Sequence, residues 1–152
     1  MQKMELTWII KKFEALSVSE LYAIMRLRNE VFVVEQDCVY QDADNKDQLS
    51  WHLCGWYNDK LAAYTRIIPP GASYTEASIG RVVSSPEYRK QGIGRLLMIE
   101  SIKHCSSLFP NAEIRIGAQL YLKNFYQSLG FSQCSDEYLE DGIPHIEMIL
   151  NE

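Results

Sequence analysis

The segment from Ile79 to Gly117 constrains the fold more than any other part of the chain. A β-prone run, Ile79-Gly80-Arg81-Val82-Val83, is stopped by Pro86 and followed by a glycine-bearing loop, Arg89-Lys90-Gln91-Gly92-Ile93-Gly94-Arg95. Ile93, Leu96, Leu97, Ile102, Cys105, Leu108 and Phe109 then fall close to one helical face, until Pro110-Asn111 ends the helix and Glu113 to Gly117 reads as another strand. A strand–helix–strand passage closes as a crossover, which sets the two strands parallel within one sheet. The loop also carries a chemical expectation. Backbone N–H groups at the start of a helix form a ready anion site, and Arg89, Lys90 and Arg95 add positive charge around it. Gly-x-Gly before a helix also serves plain helix starts, so the loop alone does not decide the matter.

Hairpins surround this crossover. Glu5 to Phe13 alternates as a strand, and Ser17-Val18-Ser19-Glu20 is a capping box that opens a helix running to about Arg28, with a continuation through Val31 to Glu35. Asp37 to Ser50 is a long polar and acidic loop. Trp51–Tyr57 and Leu61–Ile68 form a hairpin around Asn58-Asp59-Lys60, and Glu76–Ser84 is the next strand. After the crossover, Leu120–Leu129 reads as a helix closed by Gly130, and strands at Phe131–Leu139 and Ile143–Leu150 flank the hairpin dipeptide Asp141-Gly142. The expected class is one α/β domain with a mixed, mostly antiparallel sheet, a central parallel strand pair and helices on both faces. A doubly wound nucleotide fold fits badly, because too few strands are followed by helices.

Composition narrows the function classes. An apolar share of 47% and a charged share of 23% belong to a soluble globular chain, and no apolar run reaches the ~20 residues a membrane span needs. The N-terminus mixes Glu5, Lys11 and Lys12 with apolar residues and does not read as a signal peptide, so a cytoplasmic location without membrane contact is expected. A net charge of −5 argues against a general nucleic-acid binder and leaves room for a cationic substrate. The acidic groups at Asp42, Asp44, Asp47 and at Asp136, Glu137, Glu140, Asp141 read as solvated loops. Cys38, Cys54, Cys105 and Cys134 are scattered without zinc spacing and read as reduced structural thiols, so no metal is expected.

No Gly-x-x-x-x-Gly-Lys-Ser/Thr and no full Gly-x-Gly-x-x-Gly with a following acidic residue is present, which sets aside the common nucleotide fingerprints. What remains is Arg-x-x-Gly-x-Gly from Arg89, followed about thirty residues later by Asn124-Phe125-Tyr126-Gln127-Ser128-Leu129-Gly130-Phe131. In this order and spacing the pair resembles the GNAT superfamily of acetyl-CoA-dependent N-acyltransferases. Arg28-Asn29-Glu30-Val31-Phe32-Val33-Val34-Glu35-Gln36, Tyr40-Gln41-Asp42, Gly80-Arg81-Val82 and Asp141-Gly142-Ile143-Pro144-His145 are similar to its small bacterial ElaA-like branch. The resemblance spans nearly the whole chain.

The resemblance implies acetyl-CoA as acyl donor, an amine as acceptor and direct transfer without a covalent enzyme intermediate. It implies a splayed central strand pair whose cleft takes the pantetheine arm, with backbone groups of Val82, Val83 and Ser84 along it. Arg89, Lys90, Gln91, Gly92, Ile93, Gly94 and Arg95 would cradle the pyrophosphate, and Asn124 and Tyr126 would reach the donor. Tyr126 would protonate the departing thiolate, with a tyrosine simply packed on its helix as the alternative. An amine of pKa ~10.4 needs a base near neutral pH, and Glu35, His52 and His145 are the candidates, with Glu35 beside the segment where acceptors enter this fold. Tyr40, Asp42 and Asp44 either line an amine-binding mouth or sit in solvent. A non-catalytic acyl-CoA-binding regulator and an unrelated phosphate-binding module stay open, as does a homodimer through exposed sheet edges.

Overall fold

The computed structural model describes residues 4–151. Eight strands form one mixed sheet: β1 (Thr7–Lys12), β2 (Trp51–Tyr57), β3 (Lys60–Ile68), β4 (Ala77–Ser84), β5 (Ile114–Gln119), β6 (Ser132–Gln133), β7 (Tyr138–Glu140) and β8 (Ile143–Leu150). The spatial order is β1-β2-β3-β4-β5-β8-β6, with β7 paired to β8. Every pairing is antiparallel except β4–β5. The helices are α1 (Val18–Arg28), α2 (Ile93–Leu108) and the short α3 (Lys123–Gln127).

Strand alternation sets the two layers. Cys54, Tyr64 and Val83 pack with Ile24, Leu27 and Val31 on one face, while their neighbours Leu53 and Ala63 pack with Ile93 and Leu97 on the other. The thiols of Cys54 and Cys105 are both buried, and burial pushes each up to about 12. α1 starts as the sequence predicts: Glu20 N–H donates to Ser17 Oγ at 3.0 Å and Ser17 N–H donates to Glu20 Oε1 at 2.7 Å. Its expected continuation forms, but as a π-helical run over Asn29–Glu35. Such wide turns are frequent at functional sites.

Two expected elements are subdivided. The strand foreseen from Phe131 to Leu139 is split into β6 and β7, because Ser135 Oγ takes the N–H of Glu147 at 2.8 Å and replaces a ladder bond with a side chain. The helix foreseen from Leu120 to Leu129 is a tight turn, Leu120–Leu122, followed by α3. The last turn, Asp141-Gly142, has positive φ at both residues (51° and 77°), as a type I′ hairpin requires.

On the far side of the sheet, Gly55 lies opposite Trp8 in the β1–β2 ladder, and a Cβ there would meet the Trp8 ring at 2.6 Å. Gly55→Ala should therefore lower stability by about 1–3 kcal/mol through overpacking. Ser17→Ala should cost about 1 kcal/mol through the lost cap. Thermal melts check both, and a Gly55→Ala protein as stable as the parent would show that the Trp8 ring moves aside freely.

Candidate active site

The sheet opens between β4 and β5. Only Ala77↔Ile114 and Ser78↔Arg115 pair across them, after which the strands diverge. Just beyond, β4 carries an extra residue relative to β3, since Tyr64 pairs with Val83 but Arg66 with Gly80. The bulge holds Arg81 at φ 50°, an uncommon conformation for a residue with a side chain. A cavity of about 820 Å³ fills the gap, with Val82, Val83 and Ser84 on one wall and Ile116 to Gln119 on the other. The Val83 side chain is spent in the core under α1, so Val83 can meet a ligand only through its backbone.

The glycine loop delivers α2 beside this cleft. Gly92 is the N-cap at φ 74°, no side chain caps the helix, and its first turn holds no acidic residue. Its leading N–H groups are therefore available to an anion. A Cβ on Gly94 would meet nothing within 4 Å, so the glycine leaves open space over the helix start rather than relieving a protein contact. The Ile93 side chain packs into the core with Leu53, Ala63 and Leu97. Lys90, at φ 66°, and Gln91 are exposed, and Arg95 donates to Ser128 Oγ at 2.9 Å. Arg89 forks onto Glu35, donating from Nη1 at 2.7 Å and also from Nη2. A donor-rich, unobstructed helix start beside a splayed pair fits a phosphate-bearing chain laid along β4.

The structure brings Tyr126, Glu35, Arg89 and His145 to the wall of one cavity, together with Gln119, Tyr121 and Tyr74. The ring of Tyr126 stands edge-on to Phe125 and Phe131, at 5.2 and 6.0 Å. Burial pushes its phenol up to about 12, and its hydroxyl makes no hydrogen bond among the described residues. Asn124 lies outside the cavity wall, exposed on α3. Glu35 is half-exposed, and its hydrogen bond and charge pairing with Arg89 hold its carboxyl below the usual range. His52 is buried away from the cavity. Its Nε2 lies 2.8 Å from the Asp47 carbonyl, which can only accept, so Nε2 carries the proton and Nδ1 accepts from the Tyr64 hydroxyl at 2.6 Å. His145 faces the cavity, with Nδ1 2.7 Å from the Ile143 carbonyl and Nε2 3.5 Å from Glu140.

One expectation is overturned. Asp42, Asp44 and Asp47 are not a solvated loop. They are interleaved with Arg28, Arg66 and Arg81 in a neutral cluster. Arg28, fully buried, donates to Asp42 Oδ2 and to Asp47 Oδ1, both at 2.9 Å. Arg66 donates to Asp44 at 2.7 Å and to Asp47 at 2.9 Å, and Arg81 donates to Asp42 at 2.8 Å and to Asp44 at 3.3 Å. Tyr40 joins them, its hydroxyl 3.0 Å from Asp42 Oδ1 and its ring beneath the Arg81 guanidinium. The alternating acids of the loop were visible, but their partners lie 14 to 39 positions away and left no local signal. Asp136, Glu137, Glu140 and Asp141 are exposed, as expected.

A splayed parallel pair, a bulge before it and an uncapped glycine-led helix beside it are the marks of an acyl-CoA N-acyltransferase fold. The chain belongs to the GNAT acetyltransferase family, whose domain matches residues 17–152. It is similar to Protein ElaA of Escherichia coli K12, 46% identical over 135 residues that cover 88% of each chain. An acyl-CoA N-acyltransferase from Pseudomonas aeruginosa superposes with a TM-score of 0.93 at 40% identity, over 96% of this chain and 99% of that one. A GNAT family acetyltransferase from Elizabethkingia anophelis with acetyl-CoA bound shares the fold alone. Its TM-score is 0.70 at 15% identity, over 99% and 100% of the two chains.

Burial raises the Asp44 and Asp47 carboxyls, but hydrogen bonds and charge from the arginines overrule it and hold both below their ordinary value. Their contribution to stability is therefore complete above the unfolded pKa of ~3.9 and lost as pH falls through the lower folded values. The melting temperature should hold between about pH 5 and 7 and drop below about pH 4. Asp44→Asn/Asp47→Asn should flatten that acid limb. Asp42→Asn, which strips Arg28 and Arg81 of a buried partner, should cost about 3–5 kcal/mol. A melting temperature that Asp42→Asn leaves unchanged would show the cluster to be dispensable.

Proposed function

We propose that this protein transfers an acetyl group from acetyl-CoA directly to an amine acceptor, with Tyr126 as the general acid. The observation that carries this reading is the Tyr126 hydroxyl: its ring is fixed in the core, yet the hydroxyl is unbonded in a side chain that lines the cleft. Burial keeps the phenol protonated well past neutral pH, so it can give a proton to a departing thiolate. A thioester supplies an acyl carbon activated enough for an amine to attack without an enzyme-bound intermediate. The protein then has to hold the two reactants together, which by itself supplies much of the rate.

Each residue has a separate task. The open N–H groups from Lys90 to Arg95 would meet the pyrophosphate, and the free inner edge of Val82 to Ser84 would pair with the pantetheine amides. Arg89 spends two of its five N–H groups on Glu35 and would offer the others to phosphate oxygens. Asn124 would touch the donor from the rim. The acetyl-CoA-bound Elizabethkingia anophelis protein shows that this fold takes such a donor. We place the reaction in the cytoplasm.

Calorimetry with acetyl-CoA should show binding, and ATP should bind far more weakly. Gly94→Val should weaken acetyl-CoA binding at least about tenfold without lowering the melting temperature, because its side chain meets only the open space over the helix. Thiol release with a panel of amines, polyamines and peptide N-termini should identify acceptors. Tyr126→Phe should cut kcat by at least about tenfold while leaving acetyl-CoA affinity nearly unchanged. An unchanged kcat would remove Tyr126 from the chemistry. Tight acetyl-CoA binding without thiol release across the whole panel would make the protein an acyl-CoA-sensing regulator instead.

A further inference from the structure

We propose that His145 is the base that takes the proton from the acceptor amine, an inference that rests on the acyltransfer reading above. Three groups compete for this role, and the geometry separates them. His52 has both ring nitrogens engaged, is 1% exposed and lies outside the cavity wall. No lone pair on it faces an acceptor. Glu35 lines the cavity, but both its carboxylate oxygens are taken by Arg89, and that pairing lowers its basicity. In addition it stands on the side of the cleft where Arg89 waits for phosphate.

His145 meets the geometric demands on a base. A carbonyl oxygen can only accept, so in the neutral ring the 2.7 Å contact between Nδ1 and the Ile143 carbonyl fixes the proton on Nδ1 and leaves the lone pair on Nε2. The ring is held flat against Tyr138, at 5.8 Å and 29°, so its direction is set before any substrate arrives. In the β5–β8 ladder His145 pairs with Gln119, the last residue of β5, at the end where β4 and β5 have parted. The chain continues from Gln119 through one tight turn into α3 and Tyr126. The candidate base and the candidate acid therefore hang from adjoining elements and line the same cavity.

The surroundings suit a group that gains positive charge. Glu140 Oε2, on β7, stands 3.5 Å from Nε2, and Asp141 follows it in the turn and also lines the cavity. Tyr138 faces the ring from β7, and Tyr74 and Tyr126 stand elsewhere in the wall. Gln119 opposite is uncharged, and Glu147, two residues along β8, is held by Arg115 at 2.9 Å. Among these groups only carboxylates and phenols stand by the ring, and no cation competes with the acceptor for Nε2.

An acceptor arrives as an ammonium ion and gives one proton to Nε2. Its freed lone pair forms the C–N bond as the C–S bond breaks. Tyr126 gives its proton to the leaving sulfur and recovers one from the same nitrogen, which ends as a neutral amide. His145 then returns its proton to water.

Two measurements test this. In long-range ¹⁵N spectra of the labelled protein, His145 should show the Nδ1–H tautomer near pH 8, and an Nε2–H pattern would overturn the proposal without reference to any substrate. In the thiol-release assay with spermidine and a short unblocked peptide, His145→Asn keeps a donor toward Ile143 but lacks the basic nitrogen. Its kcat should fall about 100-fold at pH 7 and recover toward the parent value as pH approaches the pKa of the amine, with acetyl-CoA affinity unchanged. Added imidazole should partly restore His145→Ala. A His145→Asn profile matching the parent, or the same pH-dependent loss in Glu35→Gln, would sink His145 as the base and leave the acyltransfer reading standing. Absence of transfer by the unmodified protein to either amine would count against that reading, and the tautomer would still be decided by the spectra.

Discussion

The neutral cluster of Arg28, Arg66 and Arg81 with Asp42, Asp44 and Asp47 is the interaction on which the cleft depends. It pins the long loop before β2 onto the end of α1 and onto strands β3 and β4, which already pack together through Ile24, Leu27, Tyr64 and Val83. Taking three arginines out of water is tolerable only because each finds a carboxylate. One cost remains visible, in that Arg66 Nε is the only side-chain nitrogen or oxygen both sealed from solvent and without a partner among the described residues. The cluster also explains how a bulge with Arg81 at positive φ persists. Its guanidinium is held by two aspartates and the face of Tyr40, so the surrounding contacts over-determine a backbone that would otherwise relax.

From that bulge the remaining geometry follows. An extra residue in β4 turns the strand away from β5, and the sheet cannot close the gap because β5 is already paired to β8 on its other edge. The inner edges of both strands keep free backbone groups along a cavity of about 820 Å³. α2, seated on β3 and β4 through Ile93, Leu97 and Met98, points its uncapped start at the same region. The cleft is thus a consequence of backbone pairing and one helix placement, with side chains adding the chemistry.

What could be read from sequence follows from the range of the forces involved. The capping box at Ser17, the hairpins at Asn58 and Asp141, and the crossover at Arg89 are set by neighbours a few residues apart, and each is found where the local pattern puts it. The cluster escaped because Asp42 and Asp44, taken alone, look like any polar loop. The π-helical form of Asn29–Glu35, which follows Arg28 directly, left no local signal either. Which of Glu35, His52 and His145 keeps a free lone pair was also beyond reach. That is decided by a carbonyl two residues away for His145, by the Tyr64 hydroxyl and the Asp47 carbonyl for His52, and by an arginine 54 positions away for Glu35.

The charge of the cleft differs from the charge of the chain. A net −5 suggests a field that draws cations, but in the cavity wall Asp44 is matched by Arg66 and Arg81, and Glu35 by Arg89. The carboxylates left without a guanidinium partner there are Glu140, 3.5 Å from His145, and Asp141 in the β7–β8 turn. Lys46 Nζ, also in the wall, meets Ser73 Oγ at 3.1 Å and no carboxylate among the described residues. The cleft wall is therefore close to neutral, with its unpaired carboxylates at the β7–β8 hairpin.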